Sequence, residues 1–159
     1  MQYNQDKDVE ILNNGIDINK YRFNDMSRTL IRNEFNLKDD FVVIHIGMFA
    51  EVKNHNYLLD IFKGINKTNP KSKLLLVGDG PTKEKQDIFS KIAKLKLENS
   101  IIYLGTRTDV PDLLSAADCL IFPSIYEGFP GVVIEAQTSG LPCLISDSIT
   151  DEVVINDNF

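Results

Sequence analysis

The chain has 159 residues, the size of one domain, and burying roughly two thirds of its unfolded surface gives it a core without staples. Its 23 acidic and 17 basic residues give a net charge of -6, with no basic block, which argues against nucleic acid as a partner. Local helix ends with one or two cations still leave room for an anionic small ligand.

The first 40 residues form an irregular lead-in. "VEIL" (9–12) reads as a strand, "NNGID" (13–17) as a turn and "DMSRTLIRNEFNL" (25–37) as a helix. From residue 41 to 159, apolar runs alternate with amphipathic ones. The predicted strands are "FVVIHI" (41–46), "KLLLV" (73–77), "IIYLG" (101–105), "CLIF" (119–122) and "PCLIS" (142–146). Continuous Val, Ile and Leu runs suit strands covered on both faces, the pattern of a parallel sheet. Helices are predicted between them at 55–68, 82–97, 109–117 and 131–140, with Leu58, Leu59, Phe62 and Ile65 at helical spacing in the first. Gly140 stands where a helix closes in a left-handed cap, and Pro142 cannot continue it. The whole, 1–159, reads as a single doubly wound, Rossmann-like α/β domain, and both ends read as cuts through a longer chain.

Open parallel sheets bind ligands beyond the carboxyl ends of their strands. Four loops lie there, 47–54, 78–82, 105–109 and 123–131, and each contains glycine. The most telling is "PSIYEGFPGVVIEA" (123–136). Pro123 ends a strand, Gly128 and Gly131 let a ligand approach the main chain, and the helix starting near Gly131 offers free N–H groups to phosphate or sugar oxygens. Glu135, one turn in, interrupts Val132, Val133, Ile134 and Ala136. A half-buried carboxylate needs partners, and the vicinal hydroxyls of a ribose or hexose would supply two donors. The plainer alternative, an exposed loop charge at Glu127 and a dipole-favoured residue at Glu135, stands beside it. His45 reads as a packed core residue and His55 as the start of a helix, where the dipole disfavours its charged form; Tyr126 and Phe129 are candidate walls of the loop. Cys119 and Cys143 read as buried free thiols.

The run Pro123, Ser124, Glu127, Gly128, Phe129, Pro130 and Glu135, continued by Ala136, Gly140 and Pro142, resembles the donor signature of the retaining GT-B glycosyltransferases of family 4. "NNGID" with Phe23, "IGMFAEVKNHNYLLDIF", "KLLLVGDGP" and "IIYLGTRTDVPDLLSAADCLIFPS" resemble further segments of that family in the same order. The resemblance implies the nucleotide-binding C-terminal lobe of a two-lobed fold. It implies a nucleotide-sugar donor as substrate, a UDP-sugar foremost, with no metal or other cofactor. It implies that Glu135 takes the ribose hydroxyls, Glu127 attends the transferred sugar, Lys53 holds the diphosphate, and Gly47, Gly128, Phe129 and Gly131 present backbone groups. Arg107 and Thr108 would flank the base. In place of the family's usual arginine after the first loop glycine stands Met48, which has no guanidinium to offer. The acceptor implied is a glycan, as in capsule or exopolysaccharide assembly, or a lipid-linked one, met through the first lobe. The setting implied is a bacterial cytoplasm, with peripheral contact at the inner membrane face. A nucleotide-sugar-binding module without transfer remains the alternative; the glycine spacing at 78–83 does not fit a dinucleotide fingerprint.

Overall fold

A computed structural model describes residues 15–155. The predicted strand 9–12 and the first two residues of the 13–17 turn lie outside that range. Helices α1 (Ile18–Tyr21) and α2 (Asp25–Glu34) come first, then strand β1 (Phe41–Ile46) and helix α3 (His55–Thr68). There follow β2 (Ser72–Val77), α4 (Thr82–Leu95), β3 (Ile101–Gly105), α5 (Val110–Ala116), β4 (Cys119–Phe122), α6 (Gly131–Thr138) and β5 (Cys143–Ile145). The strands form one sheet in the order β3-β2-β1-β4-β5, and every pairing is parallel.

The period of two along each strand divides the core. Val42 and Ile44 of β1 join Leu75, Leu120 and Phe122 under α5 and α6, whereas Val43, Leu74, Leu76 and Ile121 face Leu58, Leu59 and Phe62 of α3 and Ile88 and Ile92 of α4. Helices on both faces make the doubly wound arrangement that the alternating runs imply, with Ile31 of α2 and Tyr21 of α1 joining the α5–α6 side. The outer strands differ from the expectation of cover on both faces. Every residue of β3 is only half-buried and Leu144 of β5 is exposed, because each strand lies at a sheet edge with a single neighbouring strand.

Three helices end in the same way. Leu37 N–H donates to Arg32 O, Leu97 N–H to Ile92 O and Leu141 N–H to Ala136 O, while the residue before each leucine sits in the left-handed region: Asn36, Lys96 and Gly140. Each is a Schellman closure with a buried leucine covering the end. Gly140 was expected there. The other two carry side chains, so α2 stops at Glu34 and α4 at Leu95, short of the predicted 37 and 97.

The lead-in is docked by arginines. Arg28 Nη1 donates to the carbonyls of Ser115, Ala116 and Ala117, the unpaired end of α5, and its Nη2 meets Asp118 at 2.6 Å. Asp118 in turn accepts from Val42 N–H at 2.8 Å, so one carboxylate ties α2, α5 and β1 together.

Candidate functional site

β1 lies between β2 and β4, and the helices that follow β1 and β4 leave on opposite faces. This is the switch point of the sheet, where the loops after β1 and β4 diverge and open a crevice. Two devices shape its floor. Phe49 N–H donates to Asp79 O and Gly47 N–H to Val77 O, laying the first loop against the turn after β2. Gly78 makes this approach possible: at φ +128 it sits where a Cβ would come within 2.0 Å of Gly47 O.

Across the crevice, Ile125 N–H donates to Val52 O at 2.8 Å and draws the loop after β4 onto a short 3-10 turn, Glu51–Lys53. That contact brings Lys53 and Glu127 together. Lys53 Nζ lies 2.6 Å from Glu127 Oε1, with the two side chains only 21% and 15% exposed, and 4.9 Å above the Phe122 ring. Glu127 is therefore not a free loop charge. A part-buried ion pair is costly to break from one side, and a ready one for a ligand that supplies an anion to the lysine and hydroxyls to the carboxylate.

Below this pair the ground is aromatic and dry. His45 is fully buried and its Nδ1 donates to Ile121 O at 2.9 Å, while His55 is 4% exposed with both ring nitrogens unpartnered. The two rings meet edge to face at 4.8 Å, and Phe49 closes on His55 at 4.7 Å. Burial pushes the pKa of His45 down to about 4 and that of His55 to about 3, with the nearby Lys53 charge acting in the same direction on both. Both rings are neutral at ordinary pH, and Lys53 carries the positive charge here. His45 is the core residue the sequence suggested; His55 starts α3 as expected, and burial adds to the dipole in excluding its charge.

Gly131 opens α6 with Pro130 before it and no side-chain cap. Gly128 is exposed at the loop tip and Gly47 is half-buried beside Lys53. Tyr126 is 70% exposed, whereas Phe129 is half-buried against the core. Glu135 is half-buried midway along α6, and burial together with the Glu135 carboxylate pushes the pKa of Tyr21 on α1 up to about 12. The sequence reading gave Glu135 no protein partner. The signal was the N-cap Asp17, whose carboxylate accepts from Asn19 and Lys20 N–H groups and starts a helix in the lead-in.

Arg107 and Thr108 lie on the third loop. Thr108 is exposed, but the Arg107 guanidinium grips Asp109 through two bonds of 2.8 and 2.6 Å and lies 4.0 Å from Glu34, its charge already answered. Met48 is 62% exposed on the first loop. Among the described residues no group of three or more His, Cys, Asp or Glu gathers in a metal-binding cluster. No helix among them is long and apolar enough to cross a membrane. Both cysteines are free thiols, Cys143 buried and Cys119 half-buried.

Residues 27–159 match the family described as glycosyl transferases group 1, and the chain belongs to that family. It is 36% identical over 146 residues to EpsF of Bacillus subtilis (strain 168), provisionally named a glycosyltransferase, covering 91% of this chain and 38% of that protein. It is 29% identical to the UDP-Gal:alpha-D-GlcNAc-diphosphoundecaprenol alpha-1,3-galactosyltransferase of Escherichia coli, over 95% of this chain and 40% of that one. Among solved structures, Alr3699/HepE of Anabaena in complex with UDP-glucose superimposes with a TM-score of 0.84 at 27% identity, covering 92% of this chain and 41% of that one. The α/β sheet is thus that of the GT-B glycosyltransferases, as the signature implied. The chain spans about two fifths of the length of these relatives.

Proposed function

We propose that this domain binds a nucleotide-sugar donor, a UDP-sugar, for a retaining glycosyltransferase, and that the crevice between β1 and β4 is the donor site. The observation that carries this reading is the part-buried Lys53–Glu127 pair beside the uncapped start of α6, with Glu135 one turn along. In this reading the diphosphate takes Lys53 from Glu127, and the N–H groups near Gly131 and the loop at Gly47 and Gly128 complete its cradle. Glu127, released, accepts from a hydroxyl of the sugar and offsets positive charge developing at the anomeric carbon. Glu135 accepts from the ribose. Leaving-group charge is met by one lysine and by backbone dipoles, with no step asked of a metal.

The relatives support UDP: a UDP-galactose transferase by name and a neighbour solved with UDP-glucose. The hexosyl or N-acetylhexosaminyl unit would pass to a polysaccharide or lipid-linked acceptor, reached through the remainder of a two-lobed protein at the cytoplasmic face of the membrane. Calorimetric titration with UDP, GDP and ADP tests the donor: UDP binds tightest if the reading is right, and equal affinities for all three contradict it. One observation favours a binding module without transfer, namely Met48 at the position where the family signature has arginine. Transfer of sugar from a UDP-sugar by the full-length protein decides against that second reading.

A further inference from the structure

The two strands that flank the crevice part before they end. β1 runs beside β2 in register as far as Ile46 and Val77, and β4 beside β5 as far as Phe122 and Ile145, but β1 and β4 pair only at Val43 with Cys119 and Ile44 with Leu120. Leu120 N–H donates to Pro142 O and Phe122 O accepts from Ser146 N–H, both on the β5 side, so Ile121 between them turns its carbonyl toward β1. The donor that meets it there is a side chain. His45 Nδ1–H reaches Ile121 O at 2.9 Å, one residue beyond the last paired residue of each strand. A buried carbonyl without a donor is costly, and the imidazole supplies the rung that the main chain omits.

The other side of the ring meets the first loop. A methyl group at Gly47 would stand 3.2 Å from His45 Nε2 and 3.5 Å from Lys53 Cγ and Cδ, so ring, glycine and lysine stem pack at one point. Phe122 stacks on His45 at 5.8 Å and carries Lys53 Nζ 4.9 Å above its own ring. His45 thus has one nitrogen on β4 and the other against the loop that bears Lys53. The donor reading assigns it no part.

We propose that His45 is a positioning residue for donor binding: held by Nδ1–H on Ile121 O, its imidazole sets how far β1 and β4 part and so where Lys53 meets the diphosphate. The proposal rests on the reading that the diphosphate takes Lys53. The ring is rigid and fully buried, so the gap between the two strand ends is set before a ligand arrives. A crevice without this strut would have to bring Lys53 into place on binding, and that ordering weakens a complex.

The test is calorimetric titration of UDP and of uridine into the wild-type protein, His45→Asn, His45→Gln, Lys53→Ala and the double variant of the last two. Asparagine carries its amide nitrogen as many bonds from the main chain as Nδ1 and keeps the bond to Ile121 O; glutamine carries it one bond further, at the place of Nε2. We expect His45→Gln to weaken UDP binding about 3- to 10-fold, the loss of one hydrogen bond's net contribution, and His45→Asn to stay within about 2-fold of wild type. Uridine, which lacks the diphosphate, should bind all of them alike. In the Lys53→Ala background His45→Gln should have no further effect on UDP. If His45→Gln does not fold, His45→Phe, which keeps a ring against Phe122 without the donor, is read in its place. Equal weakening of UDP and uridine would make His45 a packing residue only and overturn the proposal. Equal UDP affinities in the asparagine and glutamine variants would do so too, as would unchanged UDP affinity in His45→Gln while Lys53→Ala loses it. Unchanged UDP affinity in Lys53→Ala would refute the diphosphate reading itself and the proposal with it.

Discussion

Lys53 and Glu127 are each other's partner, so under the proposed reading a donor would exchange one ion pair for another. Lys53→Ala should lower UDP affinity by roughly 10- to 100-fold, the range for a lost charge-assisted contact, and leave uridine, which lacks the diphosphate, unaffected in the same titration. Beneath them, His45 and His55 stay neutral to about pH 4 and 3 in the folded chain but take protons near 6.5 when unfolded. The unfolded state then binds more protons in that interval, so stability is whole above pH 6.5 and is lost as pH falls toward 3. For His45 alone the loss is on the order of 3 kcal/mol, read by urea unfolding at stepped pH, and a flat profile between pH 6.5 and 4 would show the rings accessible. At Gly78, a methyl group would meet Gly47 O at 2.0 Å in a backbone region that alanine avoids. Gly78→Ala should cost about 3 kcal/mol or more in urea unfolding, the cost falling on the loop that bears Lys53.

The helix and strand cores were legible because their hydrophobic spacing is strong: α3 matches the reading residue for residue, and β1, β3 and β4 likewise. What escaped notice depends on local geometry that the residue type does not announce. Asn36 and Lys96 take the left-handed cap that glycine usually fills, so the helices they close end earlier than their apolar pattern does. Lys96→Gly should therefore stabilise the domain by about 0.5–1 kcal/mol by relieving the strained backbone, whereas Gly140→Ala should destabilise it by about 1 kcal/mol; chemical denaturation measures both. The four-residue α1 was invisible to periodicity, since it buries none of its residues fully, and its existence follows from the Asp17 cap. Of the site, the loop with Glu127 and Glu135 was readable from its glycines and proline. The pairing of Glu127 with Lys53, 74 residues earlier, was not, because it depends on which strands become neighbours. For Arg107, which the resemblance set beside the base, the fold adds a partner the spacing did not announce: Asp109, two residues on, binds its guanidinium.

At the scale of the molecule, the strand order places two loops at one crevice and leaves the opposite sheet end to the Arg28–Asp118 anchor, so the proposed donor site and this anchor lie at opposite ends of the strands. A ligand that binds only the folded domain stabilises it. At UDP one hundred times its dissociation constant the gain is about 2.7 kcal/mol, which for a domain of this size raises the melting temperature by about 5–10 °C, and Glu135→Ala should remove most of that rise in a scanning calorimeter. The most direct measurement is a crystal structure of the protein soaked with UDP. We expect the nucleotide in the β1–β4 crevice, a Glu135 oxygen about 3 Å from each ribose hydroxyl, and Lys53 Nζ moved from Glu127 to a diphosphate oxygen. UDP bound elsewhere, with Lys53 and Glu127 still joined, would contradict the account.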